Sequence, residues 1–211
     1  MGQFPGTPRV LKGAIVRIEP RSPNSNLIPF QYNPDTLSRT LEATGTGGGG
    51  AKGGKTEPFR LAGAPKETIK VNVEIDATDQ LEASDFRATS MGVHPMLSAL
   101  ELLLYPSSAS VVTNTLLAAV GTIELVPPDP PMTLFVWGLR RVLPVRITGF
   151  SVTEEQYDTN LNPIRAKVDL SMQVLSYNDF NFTHPGYWLY LSNQVGKEVM
   201  AKLSTLNGLG F

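Results

Sequence analysis

Between Leu143 and Ser176 apolar and polar residues alternate over a length that suits a pair of long β-strands, and this pair restricts the fold more than any other stretch. Ile164, Ala166, Val168, Leu170, Met172 and Val174 fall on one parity, and Arg165, Lys167, Asp169, Ser171 and Gln173 on the other. Successive side chains of a strand point to opposite faces, so one face is dry and the other wet. The partner strand begins with Val145 and Ile147 on one parity and continues with Phe150 and Val152 on the other, slipping at Thr148 and Gly149. A β-bulge at Gly149 accounts for the slip, and it bends the strand toward the curl of a barrel wall. The loop from Asp158 to Pro163 joins the two strands.

The remainder is cut into short pieces by 17 Pro and 19 Gly, which favours strands and turns over long helices. Leu11 to Glu19 and Ile28 to Tyr32 predict a hairpin across the turn-rich stretch Pro20 to Ser25. From Thr68 to Asp76 the alternation is strict, with Ile69, Val71, Val73 and Ile75 on the dry face. Leu134, Phe135, Val136 and Trp137 are successive apolar residues in a strand from Thr133, so both of its faces need cover, one from the core and one from a partner. Pro95 opens a short helix carrying Met96, Leu97, Leu100, Leu103 and Leu104, which Pro106 stops. Tyr187 to Leu203 predicts an amphipathic helix with Trp188, Leu191, Val195, Val199 and Leu203 along one stripe, docked on the barrel or on a neighbouring subunit.

Eighteen Lys and Arg against 19 Asp and Glu leave no long-range field for a polyanion, so no nucleic-acid partner is expected. Charged residues make up 18% of the chain, below the roughly 25% of ordinary soluble domains, which fits a surface partly covered by neighbours. The chain has no Cys, which excludes disulfides and thiolate chemistry. No segment has the apolar length of a signal peptide or a bilayer span, so a cytoplasmic assembly without direct membrane insertion is expected.

Gly49 to Thr56 spells G-x-x-x-x-G-K-T, the phosphate-binding loop pattern ending in Gly54, Lys55 and Thr56. That chemistry needs a buried strand before the loop and a helix after it, so that backbone amides converge on the phosphates. Arg39 to Gly45 is polar, and Glu57, Pro58, Gly63 and Pro65 follow, so neither context is predicted and the stretch reads as a flexible loop. The acidic series Glu74, Asp76, Asp79 and Glu82 lacks the spacing of a Ca²⁺ loop. His94 and His184 each precede a Pro and belong to turns. No catalytic, cofactor or metal residues are assigned.

Several segments together resemble the tube proteins of bacterial contractile injection systems, phage-tail-like devices that drive an inner tube through a contracting sheath. They are Phe30-Gln31-Tyr32-Asn33-Pro34-Asp35-Thr36-Leu37, Glu67-Thr68-Ile69 with Glu74 to Leu81, and Val93-His94-Pro95 with Leu100 to Pro106. More specific are Leu134-Phe135-Val136-Trp137-Gly138, Val142 to Thr148, Thr153-Glu154-Glu155 and Leu161 to Val168. The resemblance implies an antiparallel β-barrel of the phage tail tube type, assembled as a hexameric ring where the inner tube meets the baseplate and spike. The chain would serve as tube initiator or adaptor, with the inner tube, spike or hub and baseplate proteins as partners and no cofactor. Some relatives carry a C-terminal LysM-like module, which is not visible between Tyr177 and Phe211.

The expected organisation is therefore a mainly β tube-type barrel over residues 1–176, with a Gly-rich loop at about 44–56, one short covering helix, and a C-terminal helical extension over 177–211. Candidate subunit-interface residues are Leu134, Phe135, Val136, Trp137, Glu154, Glu155 and Trp188. The alternatives are a stand-alone ligand-binding β-barrel and a P-loop nucleotide-binding enzyme acting through Lys55.

Overall fold

The computed structural model describes residues 11–18, 26–44, 63–106, 108–119 and 132–208. Strands β1 (Ala14–Ile18), β2 (Asn26–Pro29), β3 (Leu37–Glu42), β4 (Lys66–Asp76), β5 (Met132–Val136), β6 (Val142–Tyr157) and β7 (Pro163–Val174) form one antiparallel sheet in the order β2-β1-β5-β6-β7-β4-β3. Between β4 and β5 lie helices α1 (Thr78–Glu82), α2 (Phe86–Met91), α3 (His94–Glu101) and α4 (Ser108–Ala119), and α5 (Pro185–Gly208) follows β7.

The β6–β7 pair is the spine of this sheet. Ile147 faces Met172 but Gly149 faces Ser171, so Thr148 is the extra residue of a bulge. The parity slip in the sequence thus has the expected structural form. The glycine is there for space rather than for an unusual φ, since a Cβ at Gly149 would stand 3.2 Å from Ser171 Cβ. On β7 the alternation holds to the end, with Ala166, Val168, Leu170, Met172 and Val174 all buried. β4 adds Ile69, Val71, Val73 and Ile75 to the same dry face because it pairs with β7 in register, Val73 opposite Val168.

Sheet curl brings Ile15, Phe135, Ile28 and Phe30 from the β1, β5 and β2 side toward this face, and Val93, Leu97 and Leu100 of the α3 region fill the remaining concavity. Pro95 lies in the first turn of α3, where its missing N–H costs no hydrogen bond. The Arg17 guanidinium donates to the carbonyl of Leu102, fixing the end of this helix to β1. One covering helix was expected; α1, which holds Asp79 and Glu82, α2 and α4 are additional.

Closure into a barrel is not seen: among the described residues the edge strands β2 and β3 do not pair with each other, and the sheet stays open. The reason lies in the chain between β4 and β5. β2 is only four residues long and ends in Pro29, which has no N–H to offer, and between it and Gln80, α2 and α3 lies a cavity of about 420 Å³ rather than a strand.

A side chain bridges the gap instead. Gln31 donates from Nε2 to the Asp76 carbonyl at 2.6 Å, and its Oε1 accepts the Asp76 N–H at 2.9 Å, so one amide mimics one step of a strand ladder. Asn33 does the same for the hairpin β1–β2, accepting from Gly13 N–H and donating to the Leu11 carbonyl. Asp76 is itself a joint. Burial alone would raise its pKa, but hydrogen bonds from Thr78 and the Arg165 guanidinium at 2.5 Å outweigh this and hold the carboxyl below its ordinary range.

Two predictions follow from these joints. Gly92 ends α2 at φ +57°, and a Cβ there would meet the Pro163 carbonyl oxygen at 2.2 Å. Gly92→Ala should therefore lower stability in urea denaturation by about 2 kcal/mol or more, combining a left-handed backbone with a main-chain clash. Because the folded pKa of Asp76 is lowered, its contribution is present above the unfolded value near 3.8 and is lost as pH falls through and below it. Asp76→Asn should thus be less stable than wild type near neutral pH, and the difference in urea midpoint should shrink on acidification; a constant difference would contradict the assignment.

Candidate functional site

Glu67 continues the dry parity of β4, two residues before Ile69, and its side chain is 1% exposed. A buried carboxylate needs partners, since burying a lone charge costs several kcal/mol even after relaxation. Arg39 supplies the first: it lies on β3 one diagonal step away, because Leu41 is the residue directly opposite Glu67. Its Nε and Nη2 approach Glu67 Oε1 at 2.7 and 2.6 Å. Lys197 of α5 reaches the other oxygen at 3.4 Å.

Arg141, in the turn between β5 and β6, lies in the same field. Burial lowers its pKa, the like charge of Arg39 adds to this, and Glu67 opposes it. Tyr190 of α5 is buried nearby, and burial followed by the charge of Glu67 pushes its phenol up. The result is a polar seat for α5, completed by Asn193 Nδ2 donating to the Arg140 carbonyl at 3.3 Å.

This seat turns the helix over relative to the sequence-based expectation. Of the predicted stripe, only Leu191 is half-buried, while Trp188, Val195, Val199 and Leu203 are each at least 50% exposed. α5 does dock on the sheet, but by Tyr190, which is buried, by Asn193, which donates to the Arg140 carbonyl, and by Lys197, which reaches the buried Glu67; the apolar stripe has no such seat among the described residues. From Glu198 to Thr205 every residue is exposed, so the second half of the helix stands off the body.

The predicted interface residues fall in three separate places. On β5, Phe135 is fully buried and Leu134 nearly so on the opposite face, which leaves neither as free surface; Val136 and Trp137 are half-buried, with Trp137 stacked on Phe135 at 5.8 Å. At the far end of β6, Glu154 is exposed and Glu155 pairs with Lys167 at 3.0 Å. Trp188 sits in an aromatic group with Phe182 and Tyr187 at 5.5 and 5.3 Å. A further apolar surface is formed by α4, whose Val111, Val112, Leu116 and Leu117 are exposed, and with Arg17, Asn26, Leu102 and Tyr105 it borders a groove of about 580 Å³.

The chemical motifs resolve less richly. The Gly49 to Thr56 pattern lies outside the described residues. In the acidic series Asp76 is taken by Arg165 and Thr78, and among the described residues no group of three or more His, Asp or Glu is placed to hold a metal ion. His94 begins α3, and His184 stacks on Phe180 at 4.6 Å while its Nδ1 accepts the Gly186 N–H. Among the described residues, no helix is long and apolar enough to cross a membrane. Comparison with protein-family models and with curated proteins returned no match.

The Glu67 seat has a testable asymmetry. Arg39→Met combined with Lys197→Met leaves a buried carboxylate without its cations and should cost about 3 kcal/mol or more, whereas Glu67→Gln leaves only half-exposed cations that water can serve and should cost about 1 kcal/mol. Chemical denaturation of the two variants measures the order; a costlier Glu67→Gln would show that the ion pairs do not hold the helix down.

Proposed function

We propose that the chain is a structural subunit of a contractile injection system, one of six that form a ring at the junction of the inner tube with the baseplate and spike. The observation that carries this reading is a curled sheet with a self-filled dry face, a polar opposite face and two edges that no strand covers among the described residues. Unpaired edges are templates for another chain, and a ring removes them all.

In this reading the channel is lined by the polar face of the sheet, because the concave face is already packed with the chain's own core. That polar face presents Lys70, Asn72, Glu74, Arg165, Lys167, Asp169 and Gln173, tied across strands by Asn72 to Asp169 at 2.7 Å and by Lys167 to Glu155. Mixed and mutually neutralised charges suit a water-filled passage that must not hold what moves through it. The resembling segments add support by where they fall: Gln31 and Asn33 form the bridging joints, Val93 to Glu101 builds α3, and Val142 to Thr148 with Leu161 to Val168 builds the spine.

Electron microscopy of the purified protein, or of the particle that contains it, tests the assignment. Sixfold rings at the base of a tube are the expected result. A chain that remains monomeric in native mass measurements at high concentration, or a ring of another symmetry, would sink it.

A further inference from the structure

Two of the apolar surfaces exposed among the described residues lie on opposite flanks of the sheet. Asn193 of α5 touches the β5–β6 turn and Lys197 reaches Glu67 on β4, so the helix runs toward the β3 edge, and its free half leaves the body on that side. The groove bounded by Leu102, Tyr105, Val111 and Val112 lies against Arg17 of β1 and Asn26 of β2, on the other flank. From its structure, we propose that the free half of α5 is an arm that seats in the α3–α4 groove of a second copy of this chain, head to tail around the ring. The inference rests on the ring assignment and names the contact that makes neighbours adhere.

The fit is chemical as well as positional. The arm offers Val199, Met200 and Leu203, with Val195 at its root, all exposed, at a spacing that places successive apolar side chains along one side of a helix. The receiving helix α4 carries no charged residue over its 12 positions, so nothing there resists an apolar partner. Exposed Lys202 lies beside Leu203 on the arm, and exposed Glu101 lies beside Leu102 at the groove, which pairs opposite charges at the rim. A surface on one flank that complements a different surface on the other is heterologous, and such contacts generate rings when the rotation closes. Four apolar side chains fall short of the roughly 800 Å² per partner of a lasting interface, so the arm works together with strand pairing at the edges.

The absence of native Cys makes the contact directly readable. Val199→Cys chains are mixed with Val112→Cys chains, both positions being about half exposed, and oxidised at a concentration where the wild type is oligomeric. A mixed disulfide dimer is expected at several-fold the yield of a Val199→Cys and Thr153→Cys mixture. Leu203→Glu should weaken association at least tenfold with unchanged thermal unfolding of the subunit. If rings form but Val199→Cys chains crosslink to each other in preference, or neither mixture crosslinks, the arm contact is wrong and the ring assignment stands. If no oligomer forms at any accessible concentration, both are overturned.

Discussion

Because β7 pairs with β6 on one side and β4 on the other, the alternation of its side chains commits three strands at once to a single dry face. A one-residue slip in either pairing would turn a full row of Val, Leu, Ile and Met into water, so register is held by the core itself. The one slip that does occur, at Thr148, falls where the strand must bend, and it lets Phe150 and Val152 rejoin the core side after Ile147. Everything else is placed relative to this spine: β5 and β1 extend it on one flank, β3 on the other, and α3 fills the hollow that the bend creates.

The same spine was the part most readable from residues alone, since strict alternation over many positions is a strong local signal. β4 and α3 were legible for similar reasons, a clean period of two and a Pro that starts a helix. Strand β3 was not, because Ser38, Thr40 and Glu42 alternate with Leu37 and Arg39 too weakly to mark a dry face at a sheet edge. α4 was missed because it has no charged residue to mark a wet face, and Val111, Val112, Leu116 and Leu117 stay exposed rather than forming a buried stripe. Barrel closure failed as an expectation for a non-local reason: whether two edges meet depends on the long connection between β4 and β5, whose described residues carry α1 to α4 rather than a further strand.

For the functional surface the lesson concerns polarity. The stripe from Trp188 to Leu203 has the period of a docked helix, yet α5 is seated by its polar side, where Lys197 adds a second cation to a buried Glu67 already paired with Arg39. The signal was present in the sequence, in that Glu67 shares parity with Ile69, Val71, Val73 and Ile75. A charged residue on the dry parity of a strand calls for a cation from elsewhere, and Lys197 is the one whose helix answers. Within the run expected to face both core and partner, Leu134 and Phe135 are buried inside the chain while Val136 and Trp137 stay half-buried.

Gln31 gives the open sheet a property that a continuous ladder would lack. Its carboxamide stands in for a peptide group, but unlike a peptide group it can hydrolyse without breaking the chain. Deamidation would replace the Nε2 donor by an acceptor facing the Asp76 carbonyl, and would set a second negative charge close to the Asp76 carboxylate. The seam between β2 and β4 would then repel itself while every other bond stayed intact. Hydrolysis of this one carboxamide would therefore loosen the seam while leaving the strand pairings of the core in place.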